Sequence, residues 1–130
     1  MSEAPLPTLG ELELEVLDHL WAVGEADVTQ THRAVGRARK NTVNTVGSAL
    51  ERLYRKGLVH REKVSHAYLY RAAMGREAFQ ARRMVDVIGG TEALADSGVL
   101  AAFVDAVAET DRHSLEQLAV LVADRKRRRR

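Results

Sequence analysis

The segment from Lys40 to Gly57 constrains this chain more than any other feature, because its pattern is that of a helix with two very different faces. At about 100° per residue, one side carries apolar side chains: Val43, Val46, Leu50, Leu53 and Tyr54. The opposite arc, about 100° wide, carries amides, hydroxyls and guanidinium groups: Asn41, Asn44, Thr45, Ser48, Arg52 and Arg55. That arc holds no carboxylate, whereas a merely solvated face usually mixes Glu with Lys. Such side chains hydrogen-bond base edges and phosphates, so the pattern favours a helix that reads nucleic acid.

Charge is distributed unevenly along the chain, although the formal net charge is only +2. Residues 1–28 hold seven acidic side chains and no Lys or Arg, whereas residues 33–63 hold nine basic and two acidic ones. Residues 75–124 are acidic again, nine to four. A basic middle between acidic flanks is typical of a polyanion contact confined to one surface. The basic C-terminal tail, residues 125–130, has two interpretations: extra attraction to phosphates, or a solvated tail.

The composition excludes several classes of protein. Without cysteine there is no disulfide framework, thiolate metal site or thiol nucleophile. No apolar stretch approaches the roughly 20 residues of a membrane span, and the N-terminus lacks the pattern of a signal peptide. Nucleophile-elbow, P-loop and His-Glu-x-x-His motifs are also absent. We therefore expect a cytoplasmic protein that is not an enzyme, makes no membrane contact and uses neither a cofactor nor a metal.

The apolar spacing predicts a mainly α fold with a small β-wing, a winged helix-turn-helix over residues 8–73. In chain order the expected elements are a helix over about 9–23, an edge strand at 25–28, a helix over about 30–38, a helix over 42–57 and a hairpin over 58–71. The expected N-caps are Thr8, Thr29 and Thr42, and Gly57 is the expected stop of the third helix. Gly47, inside that helix, is explained either by a close approach to a neighbouring helix or DNA, or by simple tolerance.

Residues 74–124 predict a second, helical domain with helices over 75–88, from Ser97 and from Asp111. Isolated helices of this length are marginal in water, so their apolar stripes need a partner. That partner is either the first domain or the same helices of a second chain, and we favour the homodimer. The predicted dimerisation residues are Phe79, Val99, Leu100, Phe103, Val104, Val107, Leu115, Leu118 and Val122.

The run from Asn44 to Val59, with its Thr45, Leu50, Arg52-Leu53 and Lys56-Gly57 spacing, resembles the recognition helix of the penicillinase and methicillin-resistance repressors (BlaI/MecI type). The likeness extends over about residues 8–123, through Leu12–Trp21, Tyr68-Leu69-Tyr70 and Val99–Phe103. It implies a homodimeric, sequence-specific transcriptional repressor whose winged helix reads a palindromic DNA operator and whose C-terminal helices dimerise. The family's base and phosphate contacts fall here on Asn44, Thr45, Ser48 and Arg52.

The resemblance also implies a route of derepression. Classical members of the family respond to β-lactam antibiotics, when a membrane sensor triggers proteolysis within the dimerisation helices. The matching cleavage junction here is Ala102-Phe103, without the asparagine of the best-known members. The copper-sensing branch uses a C-terminal cysteine cluster, and this chain has no cysteine.

A set of cations around the third helix completes the predicted DNA interface by positioning the duplex through its phosphates. The full predicted set is Arg33, Arg37, Lys40, Asn41, Thr42, Asn44, Thr45, Ser48, Arg52, Arg55, Arg61 and Lys63. Three alternatives stay open. Arg52 pairs with an acidic residue of the first helix instead, Asn41 and Thr42 cap the third helix, or the winged helix is a protein-interaction module without specific DNA binding.

Overall fold

The computed structural model describes residues 5–129, and they divide into two compact units between Met84 and Val85. In chain order the elements are α1 (Glu11–Val23), α2 (Val28–Thr31), a π-helical segment (His32–Gly36), α3 (Val43–Arg55), β1 (Val59–Val64), β2 (Ala67–Ala72), α4 (Arg76–Val87), a 3-10 helix (Thr91–Ala95), α5 (Ser97–Thr110) and α6 (Arg112–Arg128). The first unit has the element order of a winged helix, which confirms the predicted fold class.

Helix α1 begins later than predicted. Its N-cap is Gly10 rather than Thr8, and the Gly10 N–H donates to the Glu13 carboxylate at 3.4 Å. Glu13 therefore caps the helix from inside the first turn, although its side chain is only 8% exposed. The apolar side of α1, Val16, Leu17 and Leu20, lies in the core.

The second helix, by contrast, begins earlier than predicted, and its hydrogen-bonding pattern changes from α-helical to π-helical after Thr31. Asp27, not Thr29, is the N-cap: its carboxylate accepts from the Gln30 N–H at 2.8 Å, and the Gln30 side chain accepts from the Asp27 N–H at 2.9 Å. This reciprocal pair is stronger than a single threonine hydroxyl, which explains the shift. The helix then continues as the π-helical segment.

Gly36, at the end of the π-helical segment, lies close against α3. A Cβ at this buried position would lie 2.6 Å from Cδ2 of His32 and 2.7 Å from Cγ2 of Val46. A Cβ at Gly47 would meet only Val28 Cγ1 at 3.5 Å, an ordinary contact. The fold therefore requires glycine at 36, and a close approach to a neighbouring helix does not explain Gly47.

Helix α3 begins and ends as the sequence predicts. The Thr42 hydroxyl accepts from the Thr45 N–H at 3.1 Å, which confirms Thr42 as the N-cap. Gly57 adopts a φ of 77°, in the left-handed region that favours glycine after a helix. Val46, Ala49, Leu50 and Leu53 are buried, so α3 fills much of the core.

The hairpin of β1 and β2 pairs antiparallel with Val64 opposite Ala67, so Ser65 and His66 form a two-residue turn. The predicted edge strand is a single bridge: Ala26 and Tyr70 exchange two backbone hydrogen bonds of 3.0 and 2.9 Å. Tyr70 is buried, and this bridge joins the middle of β2 to the segment between α1 and α2.

The first unit extends beyond the predicted boundary at residue 73, because the start of α4 packs on α1. The rings of Trp21 and Phe79 lie 5.3 Å apart, and the Trp21 indole donates to the Met74 carbonyl at 2.9 Å. Phe79 is 2% exposed. The prediction that Phe79 lies at a dimer interface is therefore wrong, since the same apolar spacing serves packing within a chain and between chains.

In the second unit, α5 and α6 pack on each other. The N-cap of α5 is Asp96 rather than Ser97, whereas Asp111 caps α6 as predicted. Helix α6 runs to Arg128 and so takes in most of the predicted basic tail; Arg130 lies outside the described residues. Within residues 5–129, no helix is long and apolar enough to cross a membrane.

Candidate nucleic-acid interface

The N-terminal half of α3 presents a polar, carboxylate-free surface. Asn44, Thr45 and Ser48 are exposed on the outer side of the helix. The Thr42 and Thr45 hydroxyls lie 3.0 Å apart, so the capping residue also holds one of the predicted reading side chains in place. Hydroxyls and an amide on an exposed helix face suit hydrogen bonds to base edges in a major groove.

The sequence left two roles open for Arg52, a DNA contact and an ion pair with the first helix, and the structure is compatible with both. Its Nε lies 3.6 Å from a carboxylate oxygen of Glu13, so it pairs with α1, yet its side chain is 48% exposed. The same Glu13 accepts a 2.7 Å hydrogen bond from Lys56 Nζ. A carboxylate shared with a lysine orients Arg52 without covering it.

Glu51 borders this surface and was missed by the sequence reasoning, which considered only the central arc of the helix. Its carboxylate pairs with Arg55 at 3.3 Å and with Arg61 of β1. Arg55 remains 75% exposed, but Arg61 is only 20% exposed. Glu51 therefore reduces the charge that these two arginines offer to a phosphate.

Arg61 is the predicted phosphate contact that the structure most clearly reassigns. Its guanidinium carbon lies 3.8 Å from the ring centroid of Tyr54 and 4.4 Å from that of Tyr68. Desolvation is the largest single influence and opposes its charge, but the interactions with Glu51 and Tyr70 together outweigh it, so the pKa of the Arg61 guanidinium is raised above its ordinary value. The side chain is held within the protein.

Asn41 is reassigned in the same way. Its backbone carbonyl accepts from His32 Nε2 at 2.8 Å, and its buried side-chain Oδ1 has no hydrogen-bond partner among residues 5–129. Its carboxamide oxygen therefore points inward, because the turn from Gly36 to Thr42 is tight and Lys40 adopts a positive φ of 60°.

The remaining predicted cations are exposed and make no ion pair with a carboxylate of residues 5–129: Arg33, Arg37, Lys40 and Lys63. Arg71 of β2 is exposed in the same way and was missed, because an arginine within an alternating strand carries no distinguishing pattern. Arg39 differs from its neighbours, since it pairs with Glu11 at 3.3 Å and with Glu15. Hydrogen bonding to Glu11 and the charge of Glu15 raise its pKa.

Comparison with known proteins agrees with this geometry. The family model of the penicillinase repressor matches residues 9–122. The transcriptional regulator BlaI of Mycobacterium tuberculosis, in the CDC 1551 / Oshkosh and H37Rv strains alike, is 38% identical over 96 residues, which span 73% of this chain and 67% of the relative. The solution structure of the DNA binding domain of the repressor BlaI matches with a TM-score of 0.51 at 20% identity, covering 58% of this chain and 90% of that one.

The structural match is a likeness of fold alone, whereas the family model spans the winged helix and most of the C-terminal helices. The matched family consists of repressors rather than enzymes. This chain therefore belongs to the penicillinase repressor family and is a transcriptional regulator with a winged-helix DNA-binding fold.

Proposed function

We propose that this regulator is a cytoplasmic, homodimeric repressor that binds a palindromic operator through the outer face of α3. The observation that supports this most is the exposed surface of Asn44, Thr45 and Ser48, which no carboxylate interrupts and which ends in the half-exposed Arg52. A bidentate contact from an amide or a guanidinium to a base contributes about 1–3 kcal/mol of discrimination.

The unpaired cations supply the second layer of binding. Arg33, Arg37 and Lys40 precede α3, and Lys63 and Arg71 lie on the wing. Because they carry no internal ion pair with a described carboxylate, their charge is available to phosphates, and each contact adds to the salt dependence of binding. Arg39, Arg61 and Lys56 lie outside this layer because carboxylates already neutralise them.

The C-terminal unit supplies the dimer contact. Val99, Leu100, Phe103 and Val104 of α5 and Val122 of α6 are each 39–48% exposed. Val107, Leu115 and Leu118 are half-buried in the same unit. An exposed apolar surface on two adjacent helices suits burial against a second copy, and a two-fold dimer presents two α3 helices to a palindrome.

Repression follows from steric exclusion of polymerase at a promoter, which needs no catalysis. Release by proteolysis at Ala102-Phe103, triggered by an antibiotic sensor, would require α5 to unfold locally, because the junction lies inside an intact helix. A sensor-linked protease, if it is a partner, would therefore act on the locally opened form of α5.

Selection from a random-sequence duplex library tests the proposal. We expect an enriched palindrome with half-sites one or two helical turns apart, and a dimer by analytical ultracentrifugation. Asn44→Ala should weaken binding to the enriched duplex, whereas Gln80→Ala, an exposed amide on α4, should not. If micromolar protein shifts no duplex at low salt, the chain is a protein-interaction module, and the repressor proposal fails.

A further inference from the structure

We propose that Glu51 and Arg61 form a positioning pair that fixes the wing against α3, and so sets how well the protein discriminates its preferred DNA. This inference rests on the proposed function, because it assigns a role to two residues beside the same interface. It removes Arg61 from the phosphate contacts and gives it, with Glu51, a part in specificity.

Three elements converge on the Arg61 guanidinium. Arg61 belongs to β1, its ion-pair partner Glu51 and the ring of Tyr54 belong to α3, and the ring of Tyr68 belongs to β2. The backbone ladder joins the two strands to each other, and the bridge between Ala26 and Tyr70 joins β2 to the segment before α2 at the level of Arg61, which lies opposite Tyr70. Neither the ladder nor the bridge involves α3, whereas the Arg61 side chain contacts α3 and ties both strands to it.

An arginine suits this place better than a lysine does. The guanidinium is planar, so its faces contact aromatic rings while its N–H groups bind a carboxylate. A lysine ammonium keeps the charge but has neither the flat faces nor the fork of donors. The low exposure of Arg61, 20%, shows that these contacts occupy most of the side chain.

The position of the wing determines which contacts a bound duplex can make at once. Lys63 and Arg71 are the unpaired cations of the hairpin, and the reading residues lie on α3. When the angle between hairpin and helix is fixed, wing cations that contact the phosphates of a duplex hold α3 in one orientation toward the base edges of the groove. A loose wing would still attract any duplex through its cations. Its loss of order therefore lowers affinity for the preferred duplex more than affinity for a scrambled one.

The test compares Arg61→Lys and Glu51→Gln with Lys63→Ala, an exposed cation on the same strand that serves as the matched control. Each is measured against the duplex enriched by the wild-type protein and against a scrambled duplex of equal length, over a series of salt concentrations. Arg61→Lys is expected to lower the ratio of the two affinities about tenfold, with an unchanged salt slope. Lys63→Ala is expected to reduce the slope by about 0.9 with little change in the ratio.

Glu51→Gln distinguishes a phosphate contact by Arg61 from a positioning role, because the two roles predict different changes in the ratio of the affinities. If Arg61 contacts phosphate, removing Glu51 frees its charge, and affinity rises for both duplexes with an unchanged ratio. If the pair positions the wing, the ratio falls even though attraction to the scrambled duplex rises. A wild-type ratio in Arg61→Lys, or equal losses on both duplexes together with a lower melting temperature, overturns the proposal.

Amide hydrogen exchange without DNA keeps the two proposals distinguishable. Arg61→Lys should speed exchange in the wing, residues 59–72, and leave α1 unchanged. Unchanged wing exchange overturns the positioning role even if the wild-type protein binds DNA specifically. Conversely, a wild-type protein that binds no duplex preferentially refutes the proposed repressor function. In that case the rate of amide hydrogen exchange in the wing still decides whether Glu51 and Arg61 hold the hairpin in place.

Discussion

Replacing Gly36 with alanine is expected to destabilise the winged-helix unit, whereas the same replacement at Gly47 is expected to stabilise it. At Gly36 the new methyl group would lie 2.6 Å from the His32 ring and 2.7 Å from Val46. Neither neighbour moves easily: Val46 is β-branched and fully buried, and the His32 ring is hydrogen-bonded to the Asn41 carbonyl.

The two costs can be estimated separately. Overpacking of a buried site costs about 1–3 kcal/mol, and replacing a helical glycine by alanine returns up to about 1 kcal/mol. With an overpacking cost of about 2 kcal/mol, the middle of that range, Gly36→Ala should lose about 1–2 kcal/mol of unfolding free energy. At Gly47 the methyl meets Val28 at 3.5 Å, so the gain of about 1 kcal/mol remains without an opposing clash.

Urea unfolding followed by far-UV circular dichroism measures both variants against the wild type. The two variants should differ by about 2–3 kcal/mol, which corresponds to a separation of at least about 8 °C in melting temperature for a unit of this size. A Gly36→Ala protein as stable as the wild type, or a Gly47→Ala protein less stable than Gly36→Ala, would refute the close crossing of the π-helical segment and α3.

Three further predictions follow from the packing. Phe79→Ala should cost about 3–5 kcal/mol of stability in the winged-helix unit and leave the mass measured by ultracentrifugation the same as that of the wild type; a lower mass without loss of stability would place Phe79 at an interface between chains. Thr42→Ala should cost about 1 kcal/mol in thermal unfolding, whereas Thr42→Ser should be nearly neutral, and equal losses would mean that the hydroxyl does not cap α3. A chain ending at Ala73 should melt well below one ending at Val87, because only the longer one keeps the ring contact with Trp21; equal melting curves would contradict this.

The sequence predicted those parts of the fold in which one local pattern determines the outcome. The limits of α3 were predictable because Thr42 and Gly57 are strong end signals on either side of a two-faced run. The caps of α1 and α2 were not, because several residues in each stretch can cap, and the choice depended on partners. Glu13 pairs with Lys56, the C-cap of α3, far along the chain, and no local pattern reveals that contact.

The candidate site shows the same division. Asn44, Thr45 and Ser48 are exposed as the helical period predicts. Which arginines are free is a tertiary question: Arg37 and Arg39 are equivalent in sequence, yet only Arg39 finds acidic partners on α1. Phe79 shows the limit of prediction from sequence most clearly. The apolar pattern of an amphipathic helix does not indicate whether the surface it packs on belongs to the same chain or to another.

The packing of α4 on α1 has a practical consequence for studying this protein in solution. Trp21 is the single tryptophan of the chain, and its indole is hydrogen-bonded to Met74, two residues before α4, while its ring contacts that of Phe79. Tryptophan fluorescence, excited at the red edge of the absorption band, therefore comes from one known position. It reports whether the start of α4 is packed on α1. The packing of α4 on α1 can thus be followed in unlabelled protein, because no dye is needed and no other tryptophan contributes to the signal.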